Sequence, residues 1–135
     1  MCDPRDFLRQ IPLFNELDEE EFLIASKYIG MIEVELDFEP VVFKEGDEGD
    51  YVCFVAEGSL EVIKQGEDGH TGVLATLSRG DSIGEMALVD SLERSATVHA
   101  VEDSRLMVMT KRDFDFMLEE NPMVGIKMLR GLART

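Results

Sequence analysis

A cluster of residues in the middle of the chain has the chemistry to hold a small anion. Ile83-Gly84-Glu85 follows a strand-like run and a turn, and the EMALVD that begins at Glu85 is rich in helix formers. A helix that starts beside a glycine exposes free backbone N–H groups at its positive dipole end, a ready site for an anion. Gly84 lets a ligand approach the backbone with no Cβ in the way. Arg94 lies a short way beyond that helix, and its guanidinium can grip two phosphate oxygens through charge-assisted hydrogen bonds. Ser95 adds a hydroxyl, and the N–H groups of Ser95 and Ala96 add further donors. Glu85 is a strange neighbour for a phosphate unless it accepts hydrogen bonds from something else, such as a sugar hydroxyl. These requirements together describe a phosphate with an attached ribose.

The rest of the chain sets the conditions under which such a site must work. The net charge of −16 over 135 residues means that no global field draws an anion in. The local donors must win at short range, in a snug and partly desolvated pocket. The same charge argues against a nucleic-acid partner, which needs surplus Lys and Arg. Acids crowd residues 1–50, whereas 121–135 hold Lys127, Arg130 and Arg134 and no acid. No run of ~18 apolar residues exists to span a membrane, and the N-terminus has no apolar signal core. Cys2 and Cys53 are too few for a disulfide framework, so a reduced, cytoplasmic setting is expected. The length suits one domain, 1–135.

The elements that must position the site can be read in order. Asp3-Pro4 has the form of an N-cap and first helical position. Asp18 followed by EEEFLIASKYI opens a helix with acids at its positive end, and Gly30 stands where a left-handed C-cap belongs. From Met31 the period changes to two: Met31, Ile32, Val34, Leu36 and Phe38 alternate with acids, which predicts a half-buried strand. After Pro40, VVF leads into the turn-rich KEGDEGD. YVCFVAEG and SLEVIKQG read as strands joined at Glu57-Gly58, and 71–78, 96–101 and 105–109 as three more. Seven or eight short strands separated by Gly turns predict a sandwich or roll. Thr110 caps a helix, with Asp113 completing something close to a capping box. Asn121-Pro122 ends that helix and starts another, which carries apolar stripes Val124/Met128/Leu132 and Ile126/Leu129/Ala133 and a basic side at Lys127, Arg130 and Arg134.

Gly84-Glu85-Met86-Ala87-Leu88 followed by Arg94-Ser95-Ala96-Thr97 resembles the phosphate-binding cassette of the cyclic nucleotide-binding domain family. That family includes the regulatory subunits of cAMP-dependent kinase, cyclic-nucleotide-gated channels and the catabolite activator protein. Phe43-x-x-Gly46-Asp47-x-Gly49-Asp50 and Gly58 are similar to the family's β-roll turns, Leu13-Phe14 with Leu17 to its first helix, and Asn121-Pro122 to the break before its last. The resemblance implies a mainly β fold, an eight-stranded jelly-roll-like β-roll. N-terminal helices occupy 1–30, the roll 31–110 with its cassette at 83–97, and C-terminal lid helices 111–135. It implies that Arg94 contacts the cyclic phosphate and Glu85 the ribose 2′-hydroxyl, with Gly84, Met86, Ala87, Ser95 and Ala96 completing the cradle. Met128 or Leu132 would cap the purine. In the family a Thr right after the arginine goes with cGMP and an Ala with cAMP. Ser95 stands between them, and cAMP is the expected ligand.

Other readings of the same residues are blander. Arg94 could be a solvated turn residue and Glu85 a helix acid that satisfies the dipole. Gly46, Gly49 and Gly58 read as turn glycines. Asp47, Glu48 and Asp50 lack the alternating spacing and distal Glu of a calcium loop, so no metal is expected. The methionines read as core filler. His70 and His99 have no ligand cluster around them, and Ser91 or Ser95 with a distant His makes no nucleophile–base pair, so an enzyme is not expected. The alternative is an interaction domain of the same fold that has lost nucleotide binding. Its last helix would pair with a copy of itself or with an effector protein.

Overall fold

The computed structural model describes residues 6–38, 40–90 and 93–133. The expected Asp3-Pro4 turn, Ser91 and Arg134 lie outside them. Eight antiparallel strands form two four-stranded sheets: β1 (Gly30–Val34), β2 (Val41–Phe43), β3 (Tyr51–Glu57), β4 (Leu60–Gln65), β5 (Thr71–Leu77), β6 (Ser82–Ile83), β7 (Thr97–Ala100) and β8 (Ser104–Thr110). Their orders are β1-β8-β3-β6 and β2-β7-β4-β5. Two 3-10 turns (Asp6–Gln10 and Pro12–Phe14) and the helix α1 (Glu19–Ser26) precede the strands, and α2 (Lys111–Glu120) and α3 (Pro122–Ala133) follow them. This is the mainly β roll with flanking helices that the strand spacing predicts.

The apolar run in β3 explains how the layers stack. Val52, Phe54 and Ala56 face the helices, where they meet Phe14, Phe114, Met117 and Met128. Cys53 and Val55 face the other way, into the roll, against Leu60, Val98 and Leu106. A strand buried on both faces needs a continuous apolar sequence, and VCFVA supplies it. β8 does the same, with Met107 and Met109 toward the helices and Leu106 toward the roll. Four methionines (Met107, Met109, Met117 and Met128) are fully buried here, the filling role expected of them.

Local signals place the helices. Asp18 caps α1 through a capping box in which its carboxylate accepts from the Glu21 N–H at 2.8 Å and Glu21 accepts from the Asp18 N–H at 3.0 Å. Thr110 caps α2 by accepting from the Asp113 N–H at 3.0 Å. Two expectations are corrected. Gly30 is no left-handed C-cap: α1 ends at Ser26, and Gly30 opens β1 opposite Val108 with an ordinary backbone. The strand expected over 31–38 stops at Val34, where its partner β8 begins at Ser104. Beyond it the Leu36 N–H turns to the Asp103 carboxylate at 2.9 Å, and Phe38 stands 80% exposed.

The C-terminal helix packs on the N-terminal segment. Val124 and Met128 are buried in that core, and Leu129 and Leu132 rest against it. Lys127, on the basic side of the helix, donates to Glu21 at 2.7 Å. The N–H of Asp18 first, then Lys127, holds the Glu21 carboxyl below its ordinary pKa. Among the described residues no helix is long and apolar enough to cross a membrane.

Candidate functional site

The strand β6 runs beside β3, with Cys53 opposite Ile83, and delivers the chain to Gly84. Gly84 has φ 84° and ψ 24° and opens a 3-10 turn, Glu85–Leu88. The turn is tighter and shorter than the helix expected over EMALVD, and the Ala87 N–H closes it on the Gly84 carbonyl at 3.0 Å. Ala87 and Leu88 are buried and anchor it, while Met86 is half exposed.

Arg94 reaches this turn from the far side of the cassette. Its backbone is pinned to the β2–β3 loop: the Gly46 N–H donates to its carbonyl at 2.8 Å, and its own N–H donates to the Asp47 carbonyl at 2.7 Å. The Glu45 N–H donates to the Thr97 hydroxyl at 2.9 Å just beyond. The guanidinium carbon lies 3.7 Å from the centre of the Phe43 ring and 5.2 Å from that of Tyr51. Those rings meet edge to face at 5.2 Å. Such stacking is worth ~0.5–2 kcal/mol and fixes the plane of the fork. Nη2 donates to the Tyr51 carbonyl at 2.5 Å. Among the described residues, Arg94 forms no ion pair with a carboxylate. In a chain of net charge −16, Arg94 is thus a half-buried cation with no carboxylate partner among the described residues.

Gly84 leaves room for the Arg94 guanidinium. A Cβ on residue 84 would overlap the Arg94 Nη1 and come within 3.3 Å of the Tyr51 carbonyl oxygen, and the positive φ disfavours any side chain there. The cleft they border has a volume of 340 Å³, within the range of small-molecule sites. Gly84, Met86, Ala87, Arg94, Ser95 and Ala96 all line it, so the structure brings these expected site residues together. Glu85 is not among the lining residues: its carboxylate accepts a hydrogen bond from the Ser82 hydroxyl. Met128 and Leu132 are not there either. Both belong to the helix-side core, which corrects the expectation that one of them caps a base in this conformation.

Several lining residues escaped the sequence reading. Phe43, Val62, Ile83 and Val98 form the apolar wall, and Asp90 and Glu93 stand beside Arg94. Phe43 was legible as the end of VVF and the start of a turn pattern but not as a site residue, because that role depends on an arginine 51 positions away, a pairing only the fold creates.

Two ionisable groups near the site are silenced by burial. The Tyr51 hydroxyl donates to the Val42 carbonyl at 3.1 Å, and burial first, then the Cys53 sulfur, pushes its pKa up to about 12. Burial also pushes the Cys53 thiol up to about 12, against the pull of Arg94. A thiol that stays protonated is a poor nucleophile. Iodoacetamide at mildly alkaline pH is therefore expected to spare Cys53 in the folded protein and label it only on unfolding. Peptide mass spectrometry separates it from Cys2, and alkylation of Cys53 in the native protein at a free-thiol rate would contradict the buried placement. Among the described residues no three His, Cys, Asp or Glu side chains converge as a metal site. His99 and His70 instead pair singly with Glu61 and Asp68, at 3.1 Å and 2.9 Å.

Residues 34–121 match the family model for the cyclic nucleotide-binding domain. The chain belongs to the cyclic nucleotide-binding domain family. This cyclic nucleotide-binding domain is 33% identical over 123 residues to the cyclic AMP receptor protein of Thermus thermophilus, covering 91% of this chain and 56% of that protein. Its fold is similar to the N-terminal domain of a transcriptional regulator from Streptomyces coelicolor A3(2). There the TM-score is 0.87 with 31% identity, over 96% of this chain and 89% of the other. It is also similar to the regulatory domain of Toxoplasma gondii PKA in a co-crystal with cAMP, with a TM-score of 0.73 and 30% identity over 82% of this chain and 41% of that one. The chain spans 6–7% of the length of the fungal lysophospholipases it also matches.

Proposed function

We propose that this domain is a sensor module that binds a cyclic mononucleotide, cAMP in preference to cGMP, and couples binding to movement of its C-terminal helices. The observation that carries this reading is the Arg94 guanidinium. It is stacked on Phe43, unpaired with any carboxylate among the described residues, and open to the cleft beside Gly84. Nη2 is committed to Tyr51, and the remaining N–H groups of the fork serve the cyclic phosphate. The backbone of Gly84, Met86, Ala87, Ser95 and Ala96 completes the cradle. Glu85 takes the ribose 2′-hydroxyl. A carboxylate has about four lone-pair sites, so acceptance from Ser82 leaves capacity for that second donor. The apolar wall of Val62 and Val98 suits the flat faces of a purine. Preference for cAMP rests on Ser95, which lacks the methyl of a Thr. It is supported by relatives that are named for cyclic AMP or crystallised with it. The domain's role is regulatory rather than catalytic.

In the structure α3 packs on the N-terminal core, away from the cleft. Ligand entry would draw the 3-10 turn inward and let α3 leave the N-terminal core and close over the cleft, hinging at Asn121-Pro122. The shift is bounded by the ligand's differential affinity for the two states. A ligand of about 22 heavy atoms at ~0.3–0.4 kcal/mol each gives roughly −7 to −9 kcal/mol, which is micromolar. Isothermal titration is expected to show micromolar cAMP binding and weaker cGMP binding. Absence of heat with both nucleotides up to millimolar concentration would sink the proposal and favour an interaction domain of the same fold.

A further inference from the structure

The cleft that holds Arg94 also carries two carboxylates, Asp90 and Glu93. Both side chains are exposed, and neither forms an ion pair with a cation among the described residues. Their places are fixed by the backbone. The Asp90 N–H donates to the Met86 carbonyl at 2.9 Å at the end of the 3-10 turn, and Glu93 bridges to Glu48 immediately before Arg94. Arg94 is the one cation among the lining residues. Arg94 set against Asp90 and Glu93 leaves the lining at a net charge of −1, so every negative charge a ligand brings meets repulsion and a second charge adds to it.

We propose that Asp90 and Glu93 are specificity-determining residues that limit this cleft to singly charged phosphodiesters and turn away doubly charged phosphomonoesters. The inference rests on the reading of the cleft as a nucleotide site. A cyclic phosphate is a diester and carries one charge. A linear nucleotide is a monoester with a second pKa of about 6, so it carries nearly two charges at neutral pH. Arg94 pairs with the first charge in either ligand. The second falls in the field of two unneutralised carboxylates, in a chain already at −16. Two exposed carboxylates on the cleft wall, screened by solvent, oppose that second charge by up to roughly tenfold in affinity. A cyclic nucleotide sensor placed among abundant linear nucleotides gains its discrimination by charge as well as by ring shape.

The test separates charge from shape with three probes: cAMP, 5′-AMP, and the methyl ester of 5′-AMP, which is linear but singly charged. Each is titrated against the wild type, against Asp90→Asn/Glu93→Gln, and against Glu119→Gln/Glu120→Gln. The last variant makes the same change in net charge on the exposed side of α2. The wild type is expected to bind the methyl ester more tightly than 5′-AMP. In Asp90→Asn/Glu93→Gln all three ligands gain, 5′-AMP most, and the gap between the two linear ligands narrows by up to roughly tenfold. In the α2 variant the gap stays. A gap unchanged in Asp90→Asn/Glu93→Gln, or narrowed equally in both variants, overturns charge selection while cAMP binding stands. Failure of the wild type to bind cAMP overturns the underlying site and this inference with it.

Discussion

Replacing Arg94 with Ala is expected to weaken cAMP binding by about 30- to 1,000-fold, equivalent to ~2–4 kcal/mol. A phosphate in this cleft has one cationic partner, and its removal leaves a partly desolvated charge facing only backbone N–H groups and the carboxylates of Asp90 and Glu93. The cassette itself should stay in place. Its attachment to the β2–β3 loop runs through the backbone of residue 94, by the Gly46 and Asp47 hydrogen bonds, and does not depend on the side chain. What the mutation removes locally is the stack on Phe43 and Tyr51 and the bond to the Tyr51 carbonyl. The expected stability loss is therefore modest, ~1–2 kcal/mol. Arg94→Lys keeps the charge but loses the planar fork and the stacking geometry, so it should recover only part of the affinity. Titration calorimetry reads the binding loss, and a urea midpoint shows that the fold persists. Wild-type affinity in a folded Arg94→Ala protein would remove the arginine from the site.

Much of this could be read in the chain because short-range physics settled it. The capping box at Asp18, the single N-cap bond at Thr110 and the helix break at Asn121-Pro122 depend on neighbours within four residues. The doubly buried strand β3 showed itself as an unbroken apolar run. What failed was information held by a partner. The alternation from Met31 to Phe38 reports a period of two, yet the strand ends at Val34 because β8 begins at Ser104. Gly30 had the residue type of a C-cap, but α1 stops four residues earlier and leaves it as the first rung beside Val108. The cassette shows the same division. Gly84 and Arg94 were legible as types in a spacing. The stacking of Arg94 on Phe43 and Tyr51 required the roll to close, whereas the contact of Glu85 with Ser82 spans three residues and is local.

Gly131→Ala is expected to loosen α3 from the N-terminal segment and, under the proposed coupling, to tighten cAMP binding. At Gly131 the helix backbone lies directly on the 3-10 turn Pro12–Phe14. A Cβ there would sit 2.5 Å from the Pro12 carbonyl oxygen and 2.8 Å from that of Leu13. Neither obstacle is the tip of a flexible side chain, so the helix or the turn must shift, at a cost typical of overpacking, ~1–3 kcal/mol. An opposing effect is the higher helix propensity of Ala, about 1 kcal/mol over Gly. That gain is local to α3 and is kept whether or not the helix is docked, so it cannot restore the contact. The helix is expected to persist while its docking weakens, with Val124, Met128 and the Lys127–Glu21 pair held less firmly. Thermal unfolding should fall by up to roughly 8 °C, for a net loss of up to ~2 kcal/mol once the propensity gain is set against the overpacking. The sign of the binding effect follows from linkage. If cAMP favours the state with α3 released, a mutation that destabilises the docked state raises the competent population, and apparent affinity rises by up to the overpacking term of ~1–3 kcal/mol, roughly 5- to 160-fold. If α3 stays docked when ligand binds, the melting temperature drops and the dissociation constant does not move. Calorimetry and a melt on one variant thus separate a helix that only stabilises the roll from one that carries its signal.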